Sequence, residues 1–150
     1  MSDVIAVSRF ERLFRTAASL DIDKSDIRRV GDFINDVLYR MVARAEGIAK
    51  ANNRDIIAPW DLPIGAGLQE RMHEFRTMDE EIEIRPILDQ LAARPPMDLD
   101  LSEDTAARLP EVFGGLIVAL GRIMKEIDPD MNTPMTEHWE RSERVFALLL

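Results

Sequence analysis

The chain has 150 residues, of which 46% are hydrophobic and 31% charged, enough apolar material for a folded core rather than a disordered chain. It contains no cysteine, which excludes a disulfide frame and a thiolate metal site. Its net charge of −9 is uneven: residues 1–76 balance 12 basic against 12 acidic side chains, whereas residues 77–150 hold 7 basic and 16 acidic, so a phosphate backbone is repelled at long range while a basic face on the first half stays open.

In chain order, Val7, Phe10, Leu13, Phe14, Ala17 and Ala18 have the spacing of a first helix over Val7–Ala18. Leu20-Asp21-Ile22 breaks it, and Asp23 or Ser25 can cap a second helix with Asp26 in its first turn. Ile27, Val30, Ile34, Val37, Leu38, Met41, Ala45 and Ile48 then keep a three–four rhythm as far as Lys50. That predicts a helix of roughly 39 Å at ~1.5 Å per residue. Asn52-Asn53 can end it, and Asp55-Ile56-Ile57 reads as a short extended piece. Pro59 suits the first turn of a third, very short helix. Ile64, Leu68, Met72 and Phe75 mark one face of a further helix ending around Met78. A polar linker, Asp79-Glu80-Glu81, leads into a helix over Ile82–Arg94 despite Pro86, although the alternation in Glu81–Arg85 also fits a short strand.

The second half repeats the first at a spacing of 79 residues. Leu20-Asp21-Ile22 falls on Leu99-Asp100-Leu101, and the cap candidate Asp23 falls on Ser102. Val30, Ile34, Val37, Leu38, Met41 and Ile48 fall on Leu109, Phe113, Leu116, Ile117, Leu120 and Ile127, and Trp60-Asp61 falls on Trp139-Glu140. Apolar rhythm alone recurs between unrelated helices, but a Trp–acid match at the same spacing beyond two loops points to duplication. Both tryptophans read as core aromatics at a helix start. The longest uninterrupted apolar stretch, Leu116–Leu120 with its flanking glycines, is far short of a membrane span, and the first residues lack the pattern of a signal peptide, so a cytoplasmic protein is expected.

Short helix, loop, long central helix, loop and short helix resembles the plan of the histone fold, and residues 7–62 are similar to an archaeal histone. The run from Ile22 to Lys50 fits the central helix without a gap. The stretch IAKANNRDIIAPWDL resembles the archaeal helix end and loop, with Arg54 and Asp61 at the Arg and Asp of the pattern Arg-x-Thr-x-x-x-x-Asp. Two such folds in one polypeptide resemble a family of bacterial double-histone-fold proteins. The resemblance implies an all-α single domain over 1–150 made of two fused histone folds, residues 4–78 and 79–150, the second serving as the covalent partner of the first in an intramolecular pseudodimer. It further implies a salt bridge between Arg54 and Asp61 that braces the second loop.

Archaeal histones touch DNA phosphates from paired loops and first helices, and the resemblance puts Arg12 and Arg54 at two such positions. Arg9, Arg12 and Arg15 lie near one face of the first helix. With Lys24, Arg28 and Arg29 they form the one basic concentration in the chain, so Arg9, Arg12, Arg15, Lys24, Arg28 and Arg54 are the candidate phosphate contacts. Glu11, Asp23 and Asp26 interleave them, as on an ordinary solvated helix face. The archaeal pattern is also broken: Ile56 replaces a hydroxyl residue, Asp21 a basic one, and Thr133 stands where the second copy would repeat Arg54. The matching first loop, Pro95-Pro96-Met97-Asp98-Leu99-Asp100, is acidic.

No catalytic pattern is found. His73 and His138 stand on predicted helices without the spacing of a zinc site, and Gly65-Ala66-Gly67 lacks the strand and lysine of a phosphate loop. Asp79–Glu83 could gather a divalent cation but reads better as a solvated linker. The expectation is therefore a non-enzymatic protein with no cofactor or metal, acting through contacts with itself or another protein. DNA is the alternative partner, in which case the protein would sit in the nucleoid. The apolar end, Val145–Leu150, needs burial within the chain or in a partner.

Overall fold

In a computed structural model, which describes residues 2–92 and 96–149, the protein folds as six α-helices joined by one two-residue parallel ribbon. Helix α1 (Ser2–Ala18) is longer than the apolar spacing predicted and ends at Ser19, whose φ of 54° lies in the left-handed region. Asp23 caps α2 (Lys24–Ala51): its carboxylate accepts from the amides of Ser25 (2.9 Å) and Asp26 (3.2 Å), and Asp26 accepts in return from the Asp23 amide at 3.0 Å. Hydrogen bonds from the Ser25 hydroxyl and the Asp26 amide hold the Asp23 carboxyl below its ordinary pKa. Asn52 and the left-handed Asn53 end α2 where the sequence placed the stop.

Strand β1 (Ile56–Ile57) and a single 3-10 turn (Pro59–Asp61) follow, then α3 (Ala66–Ile82). The expected acidic linker does not exist: Asp79-Glu80-Glu81 is the last turn of α3, and the chain turns instead at Glu83, with φ 57°. Residues 81–85 form no strand. The Asp79 carboxylate accepts from the amides of Ile84 (2.7 Å) and Arg85 (3.0 Å), which starts α4 (Arg85–Leu91) with Pro86 in its first turn. Helix α4 is therefore shorter than the predicted 82–94, and Arg94 lies outside the described residues. Strand β2 (Asp100–Leu101), α5 (Glu103–Ile127, continuous through Pro110) and α6 (Thr136–Leu149) complete the fold.

Helix α5 is the hub. Each of the other five helices packs against it. One continuous apolar core draws Phe10 and Phe14 from α1, Ile34 and Leu38 from α2, Phe75 from α3, Phe113 and Leu116 from α5, and Trp139 and Phe146 from α6. The closest approach is between α3 and α5 at Gly114 and Gly115. A Cβ on Gly115 would stand 2.5 Å from Met72 Cγ and 3.1 Å from the Met72 backbone, so only glycine lets the helices meet there.

The two halves also meet loop to loop. At one end β1 pairs in parallel with β2, Ile56 opposite Asp100 and Ile57 opposite Leu101. The buried Ile57 carbonyl accepts from the Ser102 amide (3.0 Å) and the Thr105 hydroxyl (2.7 Å). At the other end the Asp21 amide donates to the Asn132 carbonyl at 2.8 Å. The loop before each long helix thus touches the loop after the other long helix.

Candidate functional site

The second loop is held by one buried carboxylate. Arg54 meets Asp61 end-on, Nη1 to Oδ2 at 2.6 Å and Nη2 to Oδ1 at 2.7 Å, and the Ala58 amide donates to Oδ2 at 2.8 Å. Asp61 is 1% exposed, so it needs all three donors to replace lost water. The Arg54 hydrogen bonds hold the Asp61 carboxyl below its ordinary pKa, against the opposing effect of burial, and the same bonds raise the pKa of Arg54. Both terminal nitrogens of Arg54 are committed to Asp61, so a phosphate would have to compete with an internal carboxylate for them.

The basic face of α1 is occupied in a similar way. Arg9 donates to the Glu83 carbonyl (2.7 Å), Arg12 pairs with Glu81 (3.3 Å) and Arg15 lies 3.5 Å from Asp21. Arg29 on α2 pairs with Glu143 on α6 at 3.0 Å. Arg9 and Arg12 tie α1 to the end of α3, Arg15 ties it to the loop before α2, and Arg29 ties α2 to α6. Among the described residues Lys24 and Arg28 are exposed and make no ion pair, which leaves them the freest of the predicted phosphate contacts.

Of the two histidines, His138 serves a helix end. His138 Nδ1 accepts from the Met135 amide at 2.9 Å, so in the neutral ring Nε2 carries the proton and donates to Asp128 at 3.0 Å. His73 lies exposed on α3. Among the described residues no group of three carboxylate or imidazole side chains is placed to hold a metal ion, and no helix is long and apolar enough to cross a membrane.

Two features escaped the sequence. Trp60 is not a core aromatic: it is 77% exposed, whereas Trp139, 79 residues further on, is 2% exposed within α6. On the 3-10 turn Asp61 takes the inward position, and its neighbour Trp60 is turned outward. The second feature is a groove of about 620 Å³ between α3, α5 and α6, walled by Leu68, Leu116, Ile123, Val145 and Phe146. Arg71 and Arg122 stand on it and share Glu74, at 2.9 and 3.1 Å. Beside it the apolar end of α6 divides: Phe146 is buried, but Leu148 and Leu149 are 84% and 77% exposed. The apolar run after Val145 was the one sequence signal for this surface.

The family profile described as a domain of unknown function, DUF1931, matches residues 10–147. The chain belongs to the DUF1931 family. An uncharacterized protein of Aquifex aeolicus (strain VF5) is 25% identical to this DUF1931 chain over 118 residues, 79% of this chain and 69% of that protein. A solved structure from Thermus thermophilus is 56% identical, covers 96% of this chain and 97% of its own, and superposes with a TM-score of 0.86. Protein AQ328 from Aquifex aeolicus superposes with a TM-score of 0.84 over 97% of this chain and 95% of its own at 22% identity, so the helical arrangement is shared at low sequence similarity.

Proposed function

We propose that this DUF1931 chain is a pair of fused histone folds, closed on itself as an intramolecular pseudodimer, that acts without catalysis through protein–protein contacts. For the fold, the support is the reciprocal meeting of the loops, β1 with β2 and Asp21 with Asn132, around two long helices in contact. One observation carries the function: the groove between α3, α5 and α6, lined in part by the exposed Leu149, whose chain neighbour Leu148 is exposed as well. An apolar recess beside two exposed leucines is costly to leave in water, and a protein partner would cover both. Sedimentation over a wide concentration range tests self-association through this surface. Species heavier than the 17.1 kDa chain should form as concentration rises, and Leu149→Asp should return them to 17.1 kDa. A wild-type chain that stays at 17.1 kDa throughout, and captures no partner that Leu149→Asp loses, would overturn the reading.

The second reading, non-specific DNA binding from the first half, is favoured by Lys24 and Arg28. It is opposed by the commitment of Arg9, Arg12, Arg15 and Arg54 to internal acceptors, by Ile56 and Thr133, and by the net charge of −9. A gel-shift series across salt decides it. Binding at low salt that weakens steeply as salt rises, and falls with Arg28→Ala, would replace the first reading.

A further inference from the structure

Trp60 stands at the edge of a second recess, also about 620 Å³, formed where the braced turn meets α3 and α5. Its lining is mostly polar, with Gln69, Arg76, Arg108 and Glu111, and Pro59, Leu62, Ile64 and Met72 supply a smaller apolar part. The Arg54–Asp61 pair and the Ala58 amide fix the turn on both sides of Trp60, so the indole is presented on a rigid support. An indole left 77% exposed forfeits most of the apolar burial that a tryptophan can gain on folding.

The charge around this recess is opposite to that of the molecule. Glu111 is its one carboxylate, and it is already shared by Arg76 (3.3 Å) and Arg85. Arg108 is exposed and makes no ion pair among the described residues, and Asp104, one turn away on α5, does not reach it. Two guanidinium groups, Arg76 and Arg108, thus line the recess with one carboxylate, in a protein with net charge −9. An exposed π-face, an unpaired guanidinium and an amide that can both donate and accept are complementary to a planar heterocycle joined to a phosphate. The volume lies within the range of small-molecule sites, about 300–1,000 Å³.

We propose that this recess binds a nucleoside phosphate, the base stacked on Trp60 and the phosphate held by Arg108, with Arg76 beside it. The same chemistry is offered by a free nucleotide and by the end of a single-stranded nucleic acid. The site does not depend on the histone-like reading, since it uses none of the α1 and α2 cations.

Trp60 is itself the probe, because the other tryptophan is buried. Titration of the whole chain with ADP, and separately with a short single-stranded oligonucleotide, should give saturable quenching of the exposed indole. The quenching should disappear in Trp60→Phe. Arg108→Ala should weaken ADP binding at least about tenfold, and adenosine, which absorbs like ADP but lacks phosphate, should bind at least about tenfold more weakly than ADP. Both substitutions are at exposed positions, and far-UV circular dichroism checks that the fold is kept. An oligonucleotide that binds much more tightly than ADP identifies a nucleic-acid end as the ligand, and equal affinities identify the free nucleotide. The proposal is overturned if neither ligand quenches saturably at millimolar concentration, if Arg108→Ala binds ADP as wild type does, or if adenosine binds as tightly as ADP.

Discussion

Replacing Asp61 by Asn removes one charge and one hydrogen-bond acceptor from the middle of the second loop. The wild-type carboxylate accepts from both terminal nitrogens of Arg54 and from the Ala58 amide, and it is almost wholly buried. Asparagine keeps a single carbonyl oxygen for these three donors, and its amide nitrogen must face a guanidinium or an N–H. Breaking a buried ion pair costs about 3–5 kcal/mol, and access of water to the half-buried Arg54 reduces that here to about 2–3 kcal/mol. For a chain of this size the melting temperature should fall by roughly 5–10 °C. The pH dependence carries the sharper test. The folded Asp61 carboxyl lies below its ordinary value of 3.8, so its stabilisation is fully present above that value and is lost as pH falls through the lower, folded pKa. Urea unfolding of wild type and variant should therefore show a constant gap from neutrality down to about pH 5, and a narrower gap at about pH 3. A gap that persists undiminished on acidification, or is absent at neutral pH, would refute the assignment of Arg54–Asp61 as the brace of the loop.

Gly115→Ala should lower stability by about 1–2 kcal/mol, because overpacking against the Met72 backbone outweighs the gain in helix propensity. Gly47→Ala, at a helical position with nothing within 4 Å of the new methyl, should raise stability by about 0.5–1 kcal/mol in the same urea experiment. Thr105→Val deletes the hydroxyl that reaches across the halves to the Ile57 carbonyl and should cost about 1 kcal/mol, read by thermal unfolding. Asp23→Ala removes the cap of α2 and should lower the melting temperature at neutral pH, with the difference shrinking in acid, since the folded Asp23 carboxyl lies below its ordinary value.

The long helices were legible because burial of one face imposes a three–four rhythm that α2 and α5 keep over their whole length, and because Asp23 and Ser102 mark their starts. The loop brace was legible too, since both partners belong to a short span with a recognisable pattern. The acidic end of α3 was not. Asp79, Glu80 and Glu81 have no apolar face, and their helix is maintained by α3 packing on α5 and by a turn at Glu83 that no local signal announces. The fate of the basic face was also invisible, because Arg12 meets Glu81 and Arg29 meets Glu143 across 69 and 114 residues of chain. Trp60 and Trp139 share a residue type and an acidic neighbour at the 79-residue spacing. One stands on a 3-10 turn and the other within a helix, and that difference in backbone separates exposure from burial.

The central claim is that the two halves of one polypeptide clasp each other loop to loop, and the natural absence of cysteine makes a direct test clean. Ile56 and Asp100 are exposed and stand opposite each other in the β1–β2 ribbon, where neighbouring strands lie ~4.8 Å apart, within reach of a disulfide. In the double variant Ile56→Cys, Asp100→Cys, mild oxidation should form one bond within each chain, independent of dilution, and leave a denatured mass of 17.1 kDa. Failure to close the bond, or closure only between two chains, would contradict the account.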